Sequence, residues 1–239
     1  MRILLLAILS IPYLVFSQTI VDDAVNESLV GSWESENSND YEGVYCFGMS
    51  EWESELYLAI DGNTISAQVK DHEWIESEDE KLRGWQPRYR NYHNVRITNN
   101  KFHSDETEGE FITYEFEGRK INGLKLNNHL NSYDNKYEIG IFQLEDKLIF
   151  FNGEYTRTKF DVISDETLNS FPLEALKVMR NEIFARYGHV FIKGSEMEEY
   201  FSRQRWYYPV NRNVSQLLTE IEKQNIANIR AVEAKKKSP

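Results

Sequence analysis

Between residues 71 and 94 the chain reads DHEWIESEDEKLRGWQPRYRNYHN. Trp74, Trp85, Tyr89 and Tyr92 supply ring faces there, and Arg88 and His93 supply polar groups. That combination suits a site where a sugar, peptide or small molecule stacks on rings while donors fix its orientation. A long irregular loop of this composition is where a β barrel would keep a binding mouth. The plainer reading, and the preferred one, is a strand edge and hairpin with a solvated acidic tip. A second concentration of polar groups lies in RNEIFARYGHVF, residues 180 to 191, where Asn181, Glu182 and Arg186 interrupt an otherwise helical pattern. These three either form a site or brace a small domain.

Other chemistries find less support. His72, His93, His103 and His129 are separated by 21, 10 and 26 residues, which matches no compact zinc motif. The acidic stretch SDETEGE at 104 to 110 does not follow the ligand order of an EF-hand loop. Neither a metal nor an organic cofactor is expected. There is no G-x-S-x-G elbow, H-E-x-x-H helix or glycine-rich phosphate loop. No catalytic residue is assigned. A cell-wall or other hydrolase using two carboxylates of the β part stays open as the alternative, but abundance of acids does not pair them. The single cysteine, Cys46, sits between Tyr45 and Phe47 and reads as a buried strand thiol. It leaves no internal disulfide to form.

Charge narrows the partners. Twenty-seven Lys and Arg face 39 Asp and Glu, a formal charge of -12, which is the wrong sign for nucleic acid. The AKKKS tract at 234 to 238 is short and reads as a solvated tail. The opening MRILLLAILSIPYLVFS has one arginine before an apolar run and Val15 and Ser17 at small-residue positions before a cut. It reads as a signal peptide over residues 1–17, cleaved before Gln18, with no transmembrane segment afterwards. Periplasm or secretion is the expected destination, and a small molecule, a glycan or an envelope protein the expected partner.

The elements that position these groups change character along the chain. From about 29 to 160, LVGSWES, VYCFG, ELYLAI, ISAQV, NVRIT, FITYEF, LKLNN, YEIGIFQL and KLIFFNGEY are strand-length apolar runs separated by polar turns. Asp61-Gly62-Asn63, Asn99-Asn100, Gly118 and Glu145-Asp146 mark reversals. Short connections imply an antiparallel meander of about seven to nine strands, closed as a barrel or folded as a sandwich. LVGSW resembles the first strand of lipocalin-like barrels over five residues only.

The period then shifts from two to nearly four. Pro172 precedes Leu173, Leu176, Met179, Ile183 and Tyr187, and Gly188 ends that helix. Ser195 and Glu198 open a second helix, which RWYYP closes. A third starts near Val214 or Ser215, with Leu218, Ile221, Asn225, Ile229 and Val232 along one stripe. The chain is therefore α+β: an 18–28 tail, an antiparallel β domain over 29–162, a three-helix domain over 163–235 and a basic tail over 236–239.

RNEIFARYG at 180 to 188, EYFSRQRWYYP at 199 to 209 and IEKQNIANIRAVE at 221 to 233, in that order, resemble the YARHG domain. This is an exported bacterial domain without an established molecular role. The chain has Phe184 where the family has tyrosine and Tyr187 where it has histidine. An activity that required that histidine would be lost here, whereas an aromatic packing position would survive. Asn181, Glu182, Arg186, Trp206 and Tyr207 are accordingly read as a structural network. Glu182 and Arg186 meet at a four-residue spacing, Asn181 has an amide able to bridge helix to loop, and the two rings fill a core short of volume. The sequence is best read as a noncatalytic exported binding or interaction module, with the β domain supplying the ligand surface.

Overall fold

Turn residues divide the first two thirds of the chain into hairpins. The structure is a computed structural model that describes residues 20–21, 27–48, 53–76, 83–116, 118–128, 130, 137–143 and 151–237. The expected signal peptide, His129, Glu145-Asp146 and the first half of KLIFFNGEY lie outside them. Eleven strands are described: β1 (Ile20–Val21), β2 (Val30–Ser32), β3 (Gly43–Phe47), β4 (Ser54–Asp61), β5 (Thr64–Glu76), β6 (Arg83–Tyr92), β7 (Arg96–Thr98), β8 (Lys101–His103), β9 (Glu108–Phe116), β10 (Arg119–Leu126) and β11 (Glu138–Gln143). Gly62 and Asn99 take positive φ in the two-residue turns joining β4 to β5 and β7 to β8, the geometry that matches strand twist.

Every ladder is antiparallel. Two meanders, β3 to β6 and β7 to β11, join where β11 pairs with β3, Ile141 opposite Cys46. The sheet curls until its two ends meet. Tyr45, Leu58, Val69, Phe102, Phe111 and Leu124, from six strands, share one core, and Tyr92 near the end of β6 packs against Phe102. One enclosed core makes the sheet barrel-like rather than two stacked layers. Tyr41 stacks on Phe111 at 4.0 Å inside it, so side chains fill the interior.

The stretch from 71 to 94 follows the strand-edge reading rather than that of a long irregular loop. Residues 71–76 continue β5 and 83–92 form β6, in continuous register from Ala67 opposite Tyr92 to Glu76 opposite Arg83. Charges, aromatics and Pro87 hide the alternation in sequence. Pro87 is tolerated because β6 ends the sheet order, where a missing amide hydrogen breaks no second ladder.

Four α-helices follow, one more than the sequence pattern suggested: α1 (Asp165–Ser170), α2 (Leu173–Ala185), α3 (Glu196–Phe201) and α4 (Glu220–Lys237). Ser164 caps the added short helix by accepting from Thr167 N. Gly188 ends the turn after α2 with φ +68°, and a Cβ there would meet Tyr208 O at 2.7 Å. The last helix starts later than Val214 or Ser215 because Thr219 and Glu222 form a capping box: Thr219 N donates to Glu222 Oε2 at 2.9 Å and Glu222 N to Thr219 Oγ1 at 3.3 Å. Residues 215–217 are a 3-10 turn instead.

The helices cover the outside of the sheet. Leu56, Leu58 and Ile60 point into the β core, while Tyr57 and Ala59 of the same strand pack outward with Val44, Phe160 and Ile221. Strand β4 is thus buried on both faces, which is why ELYLAI reads as an unbroken apolar run.

Candidate functional site

Side chains alternate across β5 and β6, and unbroken register lets each be placed. Gln68, Lys70, His72 and Trp74 share the outer face with their partners Asn91, Tyr89, Pro87 and Trp85. Asp71, Arg88, Arg90 and Tyr92 share the opposite one. The six ring and polar residues singled out in this stretch therefore divide. Trp74 and Trp85 pair edge to face at 5.9 Å and are exposed. Tyr89 packs edge to face on Tyr187 of the helical part at 4.8 Å. Arg88 donates twice to Asp71 at 2.8 Å, Arg90 donates once at 2.8 Å, and Tyr92 packs toward the β core. His93 Nδ1 lies 2.6 Å from Glu106 at the exposed turn after β6.

Burial acts to raise the Asp71 pKa, but the hydrogen bonds and charges of Arg88 and Arg90 outweigh it and hold the carboxyl below its ordinary range. Burial likewise opposes, and the His93 hydrogen bonds reverse, the shift at Glu106, which is also held low.

Where Gln68 and Asn91 leave the outer face, they grip the helical part. Gln68 Nε2 donates to Asn91 Oδ1 at 2.6 Å and to Leu217 O at 2.7 Å, and Asn91 Nδ2 reaches Gln216 O and Leu218 O. Lys159 Nζ completes the seam from the 3-10 turn Thr156–Lys159. It donates to Gln68 Oε1 and to the Tyr187 hydroxyl, both at 2.6 Å, and lies 3.5 Å from Glu222 Oε1. The Tyr187 hydroxyl is 2.6 Å from Glu222 Oε2 and 3.0 Å from Gln68 Oε1. Its one proton belongs to the carboxylate, the stronger acceptor. Burial pushes the Lys159 ammonium down to about 8 against the upward pull of Glu222, and burial raises the Tyr187 phenol well above its ordinary value.

The residues read as a structural network meet in part. Glu182 is fully enclosed, with Oε1 accepting from Tyr155 N and Oε2 from Glu154 N, each at 2.8 Å. Arg186 donates to Glu182 Oε1 and Tyr155 O at 2.7 Å, to Thr158 Oγ1 at 3.0 Å and to Asn152 O at 3.3 Å. Together they clamp residues 152–158 to α2. Tyr207 is buried and donates its hydroxyl to His189 O at 2.6 Å. Trp206 is only partly buried, packing on Phe201 and lining a cleft. Asn181 stands apart, donating to Lys177 O within its own helix. The bridge from helix to loop is made by Asn225, fully buried in the stripe of α4. Its Oδ1 accepts from Ile163 N, and its Nδ2 donates to Thr158 O and Asp161 O.

The seam opens into a cleft of about 150 Å³ beside β6. Lys70, Pro87 and Tyr89 line it from the sheet, and Arg186, Trp206 and Tyr208 from the helical part. Among the described residues that line it there is no Asp or Glu. Beyond Pro87 the same outer face continues to Trp85 and Trp74, two outward positions and roughly 14 Å from Tyr89 at strand spacing.

A β domain joined through polar residues to a helical unit that carries the blocks RNEIFARYG, EYFSRQRWYYP and IEKQNIANIRAVE defines a two-part chain. A YARHG domain model matches residues 157–234, so the chain carries that domain in its final third, beginning at the turn that holds Lys159. The YARHG domain is one of exported bacterial proteins, and no molecular function is established for it. No curated protein and no solved structure matches the chain. Among the described residues no helix is long and apolar enough to cross a membrane.

Proposed function

We propose that this is an exported, noncatalytic binding protein that takes a glycan in the cleft between its two parts and along the outer face of β5 and β6. The observation that carries the proposal is the continuity of ring surface from Trp206 and Tyr208 across the cleft to Tyr89 and Pro87, and on to the exposed Trp85 and Trp74. Sugar rings stack on such faces, and the amides of Gln86, Asn152 and Asn211 in the cleft lining suit hydroxyl groups. The filled β core directs the ligand to the outside of the sheet. A hydrolase would instead need one carboxyl held high beside one held low. Asp71 is held low by Arg88 and Arg90 and Glu106 by its hydrogen bonds from His93, and the cleft lining contributes no acid.

Titration calorimetry and tryptophan fluorescence against neutral and acidic oligosaccharides test this directly. A glycan that changes the emission of wild type should lose its binding in Trp85→Ala and in Tyr208→Ala, with folding retained. A panel that leaves heat and emission unchanged throughout would overturn the proposal.

A further inference from the structure

Resting on that binding mode, we infer that the cleft selects a carboxylate-bearing sugar, with Lys70 as the residue that recognises the acid group. Sixteen per cent of the chain is acidic, 39 of 239 residues, yet the cleft lining has none and holds two cations, Lys70 and Arg186. The cleft thus presents cationic side chains and no acidic ones to a ligand, on a chain that is acidic overall.

The two cations are not equivalent. The Arg186 guanidinium is spent on Tyr155 O, Thr158, Asn152 O and Glu182, and its side chain is 6% exposed. Lys70 stands on the outer face opposite Tyr89, where Nζ is held at 3.0 Å by Glu55 Oε2. An ammonium has three protons, and one bond to Glu55 leaves two for a ligand seated against Tyr89. Glu55 is itself engaged by the Tyr57 hydroxyl, so Lys70 is held from the neighbouring strand by a carboxylate that is itself positioned.

That carboxylate also sets the ligand charge. Glu55 offsets most of the Lys70 charge, so the residual field suits a single negative charge on a carboxylate better than a doubly charged phosphate, which Glu55 repels. Tyr89, Pro87, Trp206 and Tyr208 supply faces for the ring that bears the acid.

The experiment compares matched oligosaccharides of neutral hexoses, hexuronic acids and hexose phosphates by calorimetry at low and high salt. The hexuronate should bind about tenfold or more tighter than the neutral sugar, the scale of a hydrogen bond to a charged group. Its advantage should shrink with salt, and the phosphate should show less of it. Lys70→Met should abolish the advantage of the hexuronate over the neutral sugar, and Lys70→Arg should keep most of the preference. Equal binding of neutral and acidic sugars, a preference that survives Lys70→Met, or tighter binding of the phosphate would overturn the acid assignment while glycan binding stands. Failure of all three ligands would remove both.

Discussion

The Tyr187 hydroxyl stands 2.6 Å from Glu222 Oε2, and that hydroxyl oxygen also accepts from Lys159 Nζ at 2.6 Å. One phenol therefore bridges a buried acid and a buried base at the junction of sheet and helices. In Tyr187→Phe the ring volume is kept, while Lys159 loses an acceptor and Glu222 a donor. We expect destabilisation of about 1 to 3 kcal/mol, the cost of stranding buried polar groups. Urea denaturation compared with wild type measures it. A change within error would mean that the hydroxyl contributes no net stability.

The pH dependence follows from the same cluster. The folded Lys159 pKa is about 8, below the unfolded value of about 10.4. Between these values the unfolded chain binds more protons, so stability rises with pH. Above about 10 the order reverses, because Tyr187, Tyr57 and Tyr45 are held protonated by burial in the folded state while unfolded tyrosines ionise. At the acid end, Asp71 and Glu106 are held low, so their contribution is lost as pH falls below roughly 4. Denaturation across pH 3 to 11 should show an acid loss, a rise above about pH 8 and a fall above about pH 10. In Lys159→Met the alkaline rise should vanish.

Glu182 accepts two backbone N–H groups and an arginine. Glu182→Gln presents amide protons to donors and leaves Arg186 without its counter-charge in a buried site, at a cost of about 3 to 5 kcal/mol. Gly153→Ala should also destabilise, since φ is +118° and a Cβ would run into the Glu182 carboxylate. Thermal unfolding of both variants checks the clamp. A melting temperature unchanged in either would show that residues 152–158 are held by other means.

Trp206 and Phe201 separate cleft from core. Phe201 is fully buried, and Phe201→Ala should cost about 3 to 5 kcal/mol. Trp206 is partly exposed to the cleft, so Trp206→Ala should cost less while reducing glycan affinity. Equal destabilisation by the two would place Trp206 in the core instead.

Much of the architecture is legible in sequence because it depends on local chemistry. Gly62, Asn99 and Gly118 occupy turns that require positive φ, and Pro172 and Gly188 bracket the first long helix. The strand at 83–92 is legible only as a strand edge, because Pro87 and inner-face arginines that meet Asp71 rather than an apolar core break its alternation. The seam was hidden for a different reason: Gln68, Lys159, Tyr187 and Glu222 are scattered along the chain, and no spacing rule joins them. Two local signals were nevertheless present. Gln68 is a polar residue in an apolar strand run, and Asn225 interrupts the α4 stripe. Each marks a point where one part of the molecule hydrogen-bonds another.

The two-sided burial of β4 has a consequence for biosynthesis. The outer face formed by Val44, Tyr57 and Ala59 is covered by Phe160 and Ile221, residues that leave the ribosome, and enter any translocation channel, after the whole sheet. Until they arrive, a nascent sheet presents a bare greasy stripe that invites aggregation. A product truncated after the last strand would therefore be a client for holding chaperones and quality-control proteases rather than a smaller working protein.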